Sequence, residues 1–284
     1  MACLEWKPAH LTRILFEAAD IAYAHFRTQQ WNVKADHSLV TAADTEIERL
    51  LATKFDDPGG GSYLLGEETV DKRDETYLRA ARRSTTWIVD PIDGTAPFAN
   101  GLTSWGLSIG LARRGRIVDG AIYMPVRGEL FITDGPEVLA DTNVRHSAGP
   151  GSVTLRPLPM CNDGELREGG MIAVSQVLTK TRGITCRNPV QASGCAVQAL
   201  TYLLLGRYQG IVSHMKLWDL AGGLPMLYRH GFEGCLVNGT IIDDRLTNDI
   251  YVLEPEDTFP RWSLRGGCVF TRRSQTQTLL EWLT

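Results

Sequence analysis

Residues 8 to 28 carry Leu11, Ile14, Leu15, Ala18, Ile21, Ala22 and Phe26 at the spacing of one helix face. Pro8 suits the first turn of such a helix. After the polar connection QQWNVKADHS, the segment LVTAADTEIERLLATKF predicts a second helix, in which Thr41 and Asp44 have capping-box spacing with Asp in place of Glu. The Gly-rich turn DDPGGGS leads to a short strand over 63–65 that ends at Gly66-Glu67-Glu68. Residues 75–83 read as helical, and a strand over 86–89 runs into DPIDGT. The stretch WGLSIGLARRGRIVDGAIYMPVRGELFITDG predicts three strands joined by Arg-Gly and Arg-Gly-Glu turns.

Residues 135–170 are rich in Gly, Pro and polar side chains and separate two halves, 1–140 and 141–284. Beyond them the pattern alternates. Strands are expected over 171–175, 184–186, 209–213 and 267–271, with helices near 178–182, 194–205, 219–230 and 274–283. Such alternation predicts a layered α/β fold.

Composition narrows the function. The chain has 284 residues, 43% hydrophobic and 22% charged, with a formal charge of -4. No basic stripe for nucleic acid is present; Arg79, Arg82 and Arg83 read as a solvated helix face. The six cysteines include no C-x-x-C pair, so they are expected to be free thiols rather than zinc ligands or a disulfide frame. Glu5 and Lys7 stand where a signal peptide needs an apolar run, and no stretch reaches the roughly 18 apolar residues of a membrane span. A cytoplasmic protein without membrane contact is expected.

The chemistry lies in acids at the ends of apolar runs: Asp44 after LVTAA, Glu67 and Glu68 after YLLG, Asp90 and Asp93 after WIV, and Asp219 after KLW. Singly, each has an ordinary explanation. Asp44 could be a cap, Glu67 and Glu68 a solvated pair, and Asp219 the N-cap of LAGGLPMLYRH. Jointly they imply carboxylates that repel unless a cation or raised pKa values neutralise them. Hard divalent ions prefer such oxygen ligands, and two ions about 4 Å apart could clamp both oxygens of a phosphoryl transfer. Gly94 lets backbone approach a ligand, and GTAPF can open a helix whose N–H groups face an anion.

GEE at 66–68, WIVDPIDGT at 87–95 and WDLAGG at 218–223, with NVKADHSLVTAAD and SGCAVQAL, resemble the inositol monophosphatase family. This superfamily of Mg2+-dependent, often lithium-sensitive phosphatases also holds fructose-1,6-bisphosphatases and bisphosphate nucleotidases. The resemblance implies an αβαβα sandwich, a homodimer and a small polyol or sugar phosphate as substrate. It implies two or three Mg2+ ions, with Mn2+ able to substitute. Glu67, Asp90 and the Ile92 carbonyl would hold the first, and Asp90, Asp93 and Asp219 the second. Most ligands thus fall in the N-terminal half, while the C-terminal half carries Asp219 and the substrate pocket. Thr95 with Asp44, assisted by Glu67, would activate water. Asp93, the N–H groups of Gly94 and Thr95, and Asp219 would meet the phosphate or substrate. Gly194, Cys195 and Ala196 would line the pocket, and Lys34 would lie on a mobile loop over it.

The departures concern the substrate. Inositol-specific members carry a glutamate before the WD motif, where this chain has Val212, Ser213 and His214; His214 could contact substrate. Cys195 replaces the more usual Thr or Ser and has no evident His partner as a nucleophile. Histidinol phosphate, fructose-1,6-bisphosphate and nucleotide 3'-phosphates are the alternatives within the superfamily. An aspartyl-phosphate mechanism is disfavoured because D-P-I-D-G-T is one residue too long for D-x-D-G-T. A non-catalytic phosphate sensor or regulatory subunit is the alternative of another class.

Overall fold

The computed structural model describes residues 5–28, 30–34, 38–161, 166–181, 186 and 188–281. In chain order the first part comprises α1 (Pro8–His25), β1 (Asn32–Val33), β2 (Leu39–Val40), α2 (Ala42–Phe55), β3 (Ser62–Gly66), α3 (Glu75–Ala81), β4 (Thr85–Asp93) and α4 (Thr95–Ala99). The meander β5 (Gly106–Arg113), β6 (Arg116–Met124), β7 (Glu129–Asp134), β8 (Glu137–Asp141) and β9 (Arg156–Pro157) follows. Then come β10 (Ile172–Val174), α5 (Gln176–Thr181), β11 (Val190–Gln191), α6 (Ala196–Leu204), β12 (Gly210–Ser213), α7 (Leu217–Ala221) and α8 (Leu224–Arg229). The chain continues through β13 (Phe232–Leu236), β14 (Ile241–Ile242), β15 (Cys268–Arg272) and α9 (Thr276–Glu281).

Two sheets form. Strands β3 to β9 lie in sequence order in a seven-stranded sheet, parallel only between β3 and β4. The other sheet has six strands in the order β11-β10-β12-β15-β13-β14. The alternation of β4 assigns its two faces. Trp87 and Val89 join a core with Leu11 and Leu15 of α1 and Ile47 and Leu51 of α2. Ile88 points the other way, into a core with Leu200 and Leu203 of α6, Leu220 of α7, Leu224 of α8 and Phe270 of β15. Beyond the second sheet, Val174, Val212 and Val269 pack with Leu279 of α9 and Leu178 of α5. The layers are therefore helix, sheet, helix, sheet, helix, the expected αβαβα order.

Several boundaries differ from the sequence reading. The expected helix over 219–230 is two helices, because Gly222-Gly223 and Pro225 interrupt it. Asp219 is consequently the third residue of α7, not an N-cap. The run 135–170 is not structureless: β8 and β9 extend the edge of the first sheet. Four of the residues in the expected turn of helix and strand over 182–186 lie outside the described set.

Two contacts position the functional elements. Phe55 of α2 stacks on Trp87 of β4 with ring centroids 4.0 Å apart, which seats the helix bearing Asp44 on the strand bearing Asp90. On the opposite face α7 sits directly on the sheet, because β5 has no side chain at Gly110, where a Cβ would lie 2.6 Å from the Ala221 Cβ. That approach brings Asp219 to the end of β4.

Candidate active site

Strand β4 does not stop at Val89 but continues to Asp93, with an irregular register against β5 between Asp90 and Asp93. Gly94 then takes φ 87°, and any Cβ there would lie 2.5 Å from the Ser104 carbonyl oxygen. Only glycine fits this turn, and α4 begins immediately after it. Carboxylate oxygens of Asp90, Asp93 and Asp219 all lie within 4.8 Å of one another.

Each of the three is neutralised differently. Asp93 Oδ2 accepts the Val197 N–H at 2.5 Å and the Cys195 thiol at 3.0 Å, at the start of α6. Asp219 Oδ2 accepts the Lys216 N–H at 2.8 Å. Asp90 is 2% exposed, and its Oδ1 has no hydrogen-bond partner among the described residues. Burial raises all three carboxyls. Asp93 moves to about 6, held down in part by the Cys195, Val197 and Ala196 donors, and Asp219 to about 8, with Asp93 and Glu67 adding to the rise. Asp90 is pushed well up by burial and then by Glu67, Asp93 and Asp219. An all-oxygen set with one orphaned buried atom has the chemistry that suits a hard divalent ion.

Asp44 is fully buried, and its Oδ2 accepts the Thr41 N–H at 2.8 Å and the Thr41 hydroxyl at 2.5 Å, completing the expected capping box. Its other oxygen lies 3.3 Å from the Thr95 hydroxyl, which is also 3.1 Å from the Ile92 carbonyl. Burial raises Asp44 to about 7. Cap and site partner are thus the same residue, not alternatives.

The Glu67–Glu68 turn is arranged otherwise. Lys34, beside β1, places its Nζ 2.6 Å from Glu68 and 3.3 Å from Glu67, and these partners raise its pKa against the effect of burial. Lys216 Nζ lies 4.0 Å from the same Glu67 oxygen. Glu67 is not in the aspartate group. Asp36 and His37 of the expected mobile loop lie outside the described residues.

A cleft of about 190 Å³ opens beside Asp93 and Asp219. Gly194, Cys195, Ala196 and His214 line it, together with Ser175, Gln176 and Ser213. Val212 points into the far core instead, since Ile211 and Ser213 take the cleft-facing positions of β12. Half-burial lowers the His214 pKa, so the ring is neutral near pH 7. Burial and Asp93 push the Cys195 thiol well up, which removes it as a nucleophile.

Sequence reasoning missed two residues here. Glu48 is 1% exposed and accepts the Glu68 N–H at 2.8 Å and the Thr69 hydroxyl, fixing the glutamate turn. Its signal was its place four residues after Asp44, on the same helix face. Lys216, three residues before Asp219, gave no signal of its own.

Five layers with buried carboxylates gathered at a strand end frame an enzyme-like site, and the family comparison makes the class a phosphatase acting on phosphoric monoesters. The family model of the inositol monophosphatase family matches residues 9–256, and the chain belongs to that family. It is 28% identical over 216 residues to an inositol-1-monophosphatase of Mesorhizobium japonicum, covering 74% of this chain and 76% of that one. It is 27% identical over 181 residues to the Nus factor SuhB of Pasteurella multocida, covering 61% and 64%. The fold is similar to that of a Thermotoga maritima IMPase, with a TM-score of 0.70, 17% identity and coverage of 96% and 95%. Among the described residues no helix is long and apolar enough to cross a membrane.

Proposed function

We propose that this phosphatase is Mg2+-dependent and hydrolyses a monoester of a small polyol or sugar. The observation that supports this most is the orphaned Asp90 oxygen inside the aspartate group, beside a cleft with neutral hydrogen-bonding walls. Glu67, Asp90, the Ile92 carbonyl, Asp93 and Asp219 are the residues that would hold the ions. When bound, Mg2+ supplies acidification of water and neutralisation of phosphoryl charge, and Mn2+ can substitute.

The chain's own residues do the rest. Thr95 orients the attacking water, and Asp44, whose Oδ1 lies 3.3 Å from the Thr95 hydroxyl, takes the water's proton through that hydroxyl. The N–H groups of Gly94 and Thr95 hold the phosphoryl oxygens. The water oxygen bonds to phosphorus as the ester oxygen departs in line, and that alkoxide takes a proton from solvent. Gly194, Cys195, Ala196, Ser213 and His214 receive the alcohol. The two halves, 1–140 and 141–284, act as one unit, since Asp219 completes a group begun by Asp90 and Asp93. Lithium inhibition, homodimer assembly and a cytoplasmic location belong to the same proposal.

The test is a phosphate-release screen over inositol, sugar, histidinol and nucleotide phosphates, with and without Mg2+. Release from polyol or sugar monoesters only when Mg2+ is present is expected. Equal release in a chelator, or none from any ester, overturns the reading.

A further inference from the structure

Glu67 stands apart from the three aspartates in having two ammonium groups close by. Lys34 approaches it from the β1 side, within the first half of the chain. Lys216 approaches from the second half, immediately before α7, at 4.0 Å. Two features limit how far Lys216 can withdraw. Its backbone N–H is held by Asp219 Oδ2 at 2.8 Å, and its Nζ lies 5.5 Å from the centre of the Trp218 ring, itself 3% exposed. The side chain is 31% exposed, so its head still has a path to solvent. Its charge is also felt at Glu68 and Asp219.

We infer that Lys216 is a built-in counter-cation of Glu67 that competes with a divalent ion for this carboxylate and so weakens metal binding at the site. This rests on the metal-dependent reading above. A cation arriving at Glu67 meets the Lys216 ammonium, and the head must swing away or tolerate repulsion. Its backbone stays in place because the same residue holds Asp219. Lys216 is therefore a positioning residue acting through Glu67, and it sets how much Mg2+ the enzyme needs. The glutamate turn keeps a counter-charge when no metal is present.

The experiment is a calorimetric Mn2+ titration of the whole protein and of Lys216→Met and Lys216→Arg. Methionine keeps an apolar stem over Trp218 and removes the charge; arginine keeps the charge. Lys216→Met should bind Mn2+ about tenfold more tightly, the effect of a unit charge about 6 Å from a divalent ion at the dielectric of water. Lys216→Arg should stay within about twofold of the parent on the same charge argument. Melting curves supply a second readout. Lys216→Met should melt lower than the parent without metal and gain more from saturating Mn2+. Unchanged or weaker Mn2+ binding by a folded Lys216→Met, or equal tightening in both variants, overturns the inference while leaving the metal site intact. Absence of Mn2+ binding in the parent overturns the metal-dependent reading itself.

Discussion

The end of β4 and the Glu67–Glu68 turn present the same chemical group in two electrostatic states. At β4 the aspartates are neutralised by backbone N–H groups, a thiol or, for one oxygen, nothing. At the glutamate turn the counter-charges are two lysines, and Glu48 fixes the backbone from below. Dipolar partners cannot leave and carry no net charge, so the first region stores repulsion that only protons or a cation relieve. Ammonium heads can leave, so the second region is neutral at rest and must exchange partners to take part. A site assembled from both is rigid where it needs ligands fixed and replaceable where charge must change.

Asp90→Asn breaks the comparison most severely. Activity should fall by about a thousandfold or more, the scale seen when a main electrostatic stabiliser is removed. The metal-free protein should melt higher at alkaline pH, where a buried carboxyl crowded by like charges would otherwise have to ionise. Loss of activity with a lower melting temperature would mean that Asp90 is structural.

The next effect is on metal-free stability as a function of pH. Asp44 rises from the ordinary carboxylate range to about 7 on folding. The folded state therefore binds more protons than the unfolded one, and stability falls as pH rises from about 4 to 7. Asp93 and Asp219, also raised, act in the same sense. Denaturant melts in a chelator at several pH values should show this decline, and Asp44→Asn should flatten it. A rise in stability over that window would refute stored repulsion.

Thr95→Ala should lower kcat by about a hundredfold, the low end for loss of general-base assistance, with Thr95→Ser recovering most of it. Cys195→Ala removes one donor to Asp93 and should cost about tenfold in kcat/KM, and Cys195→Ser should restore it. Smallest is Ser213→Ala, which takes one hydroxyl from the cleft wall. It should raise KM by about fivefold and leave kcat alone, as loss of a neutral hydrogen bond does. A kcat effect there would move Ser213 from substrate binding into the chemistry.

Much of this is legible in the sequence. The helical period of residues 8–28 and the alternation through 105–134 reported α1 and the meander, because burial on one face imposes its own period on a sequence. The split of α7 from α8 was also written, in Gly222-Gly223 and Pro225, but a helical period reads across such a break. β9 was hidden because an exposed two-residue edge strand carries no pattern, and β8, with only Val138 and Ala140 buried, is short and lies in a Gly- and Pro-rich stretch.

By itself the sequence determined which groups carry charge and where backbone must turn. Acids ending apolar runs and a glycine after Asp93 follow from local chemistry and hold for any neighbour. Which acids meet was decided only by tertiary structure. Asp90 and Asp219 are joined by the close seating of α7 on β5, and Cys195 reaches Asp93 across the interface of two sheets. The lysines at Glu67 come from both halves of the chain. Distance in space depends on packing between layers, and no spacing along one strand or helix encodes it.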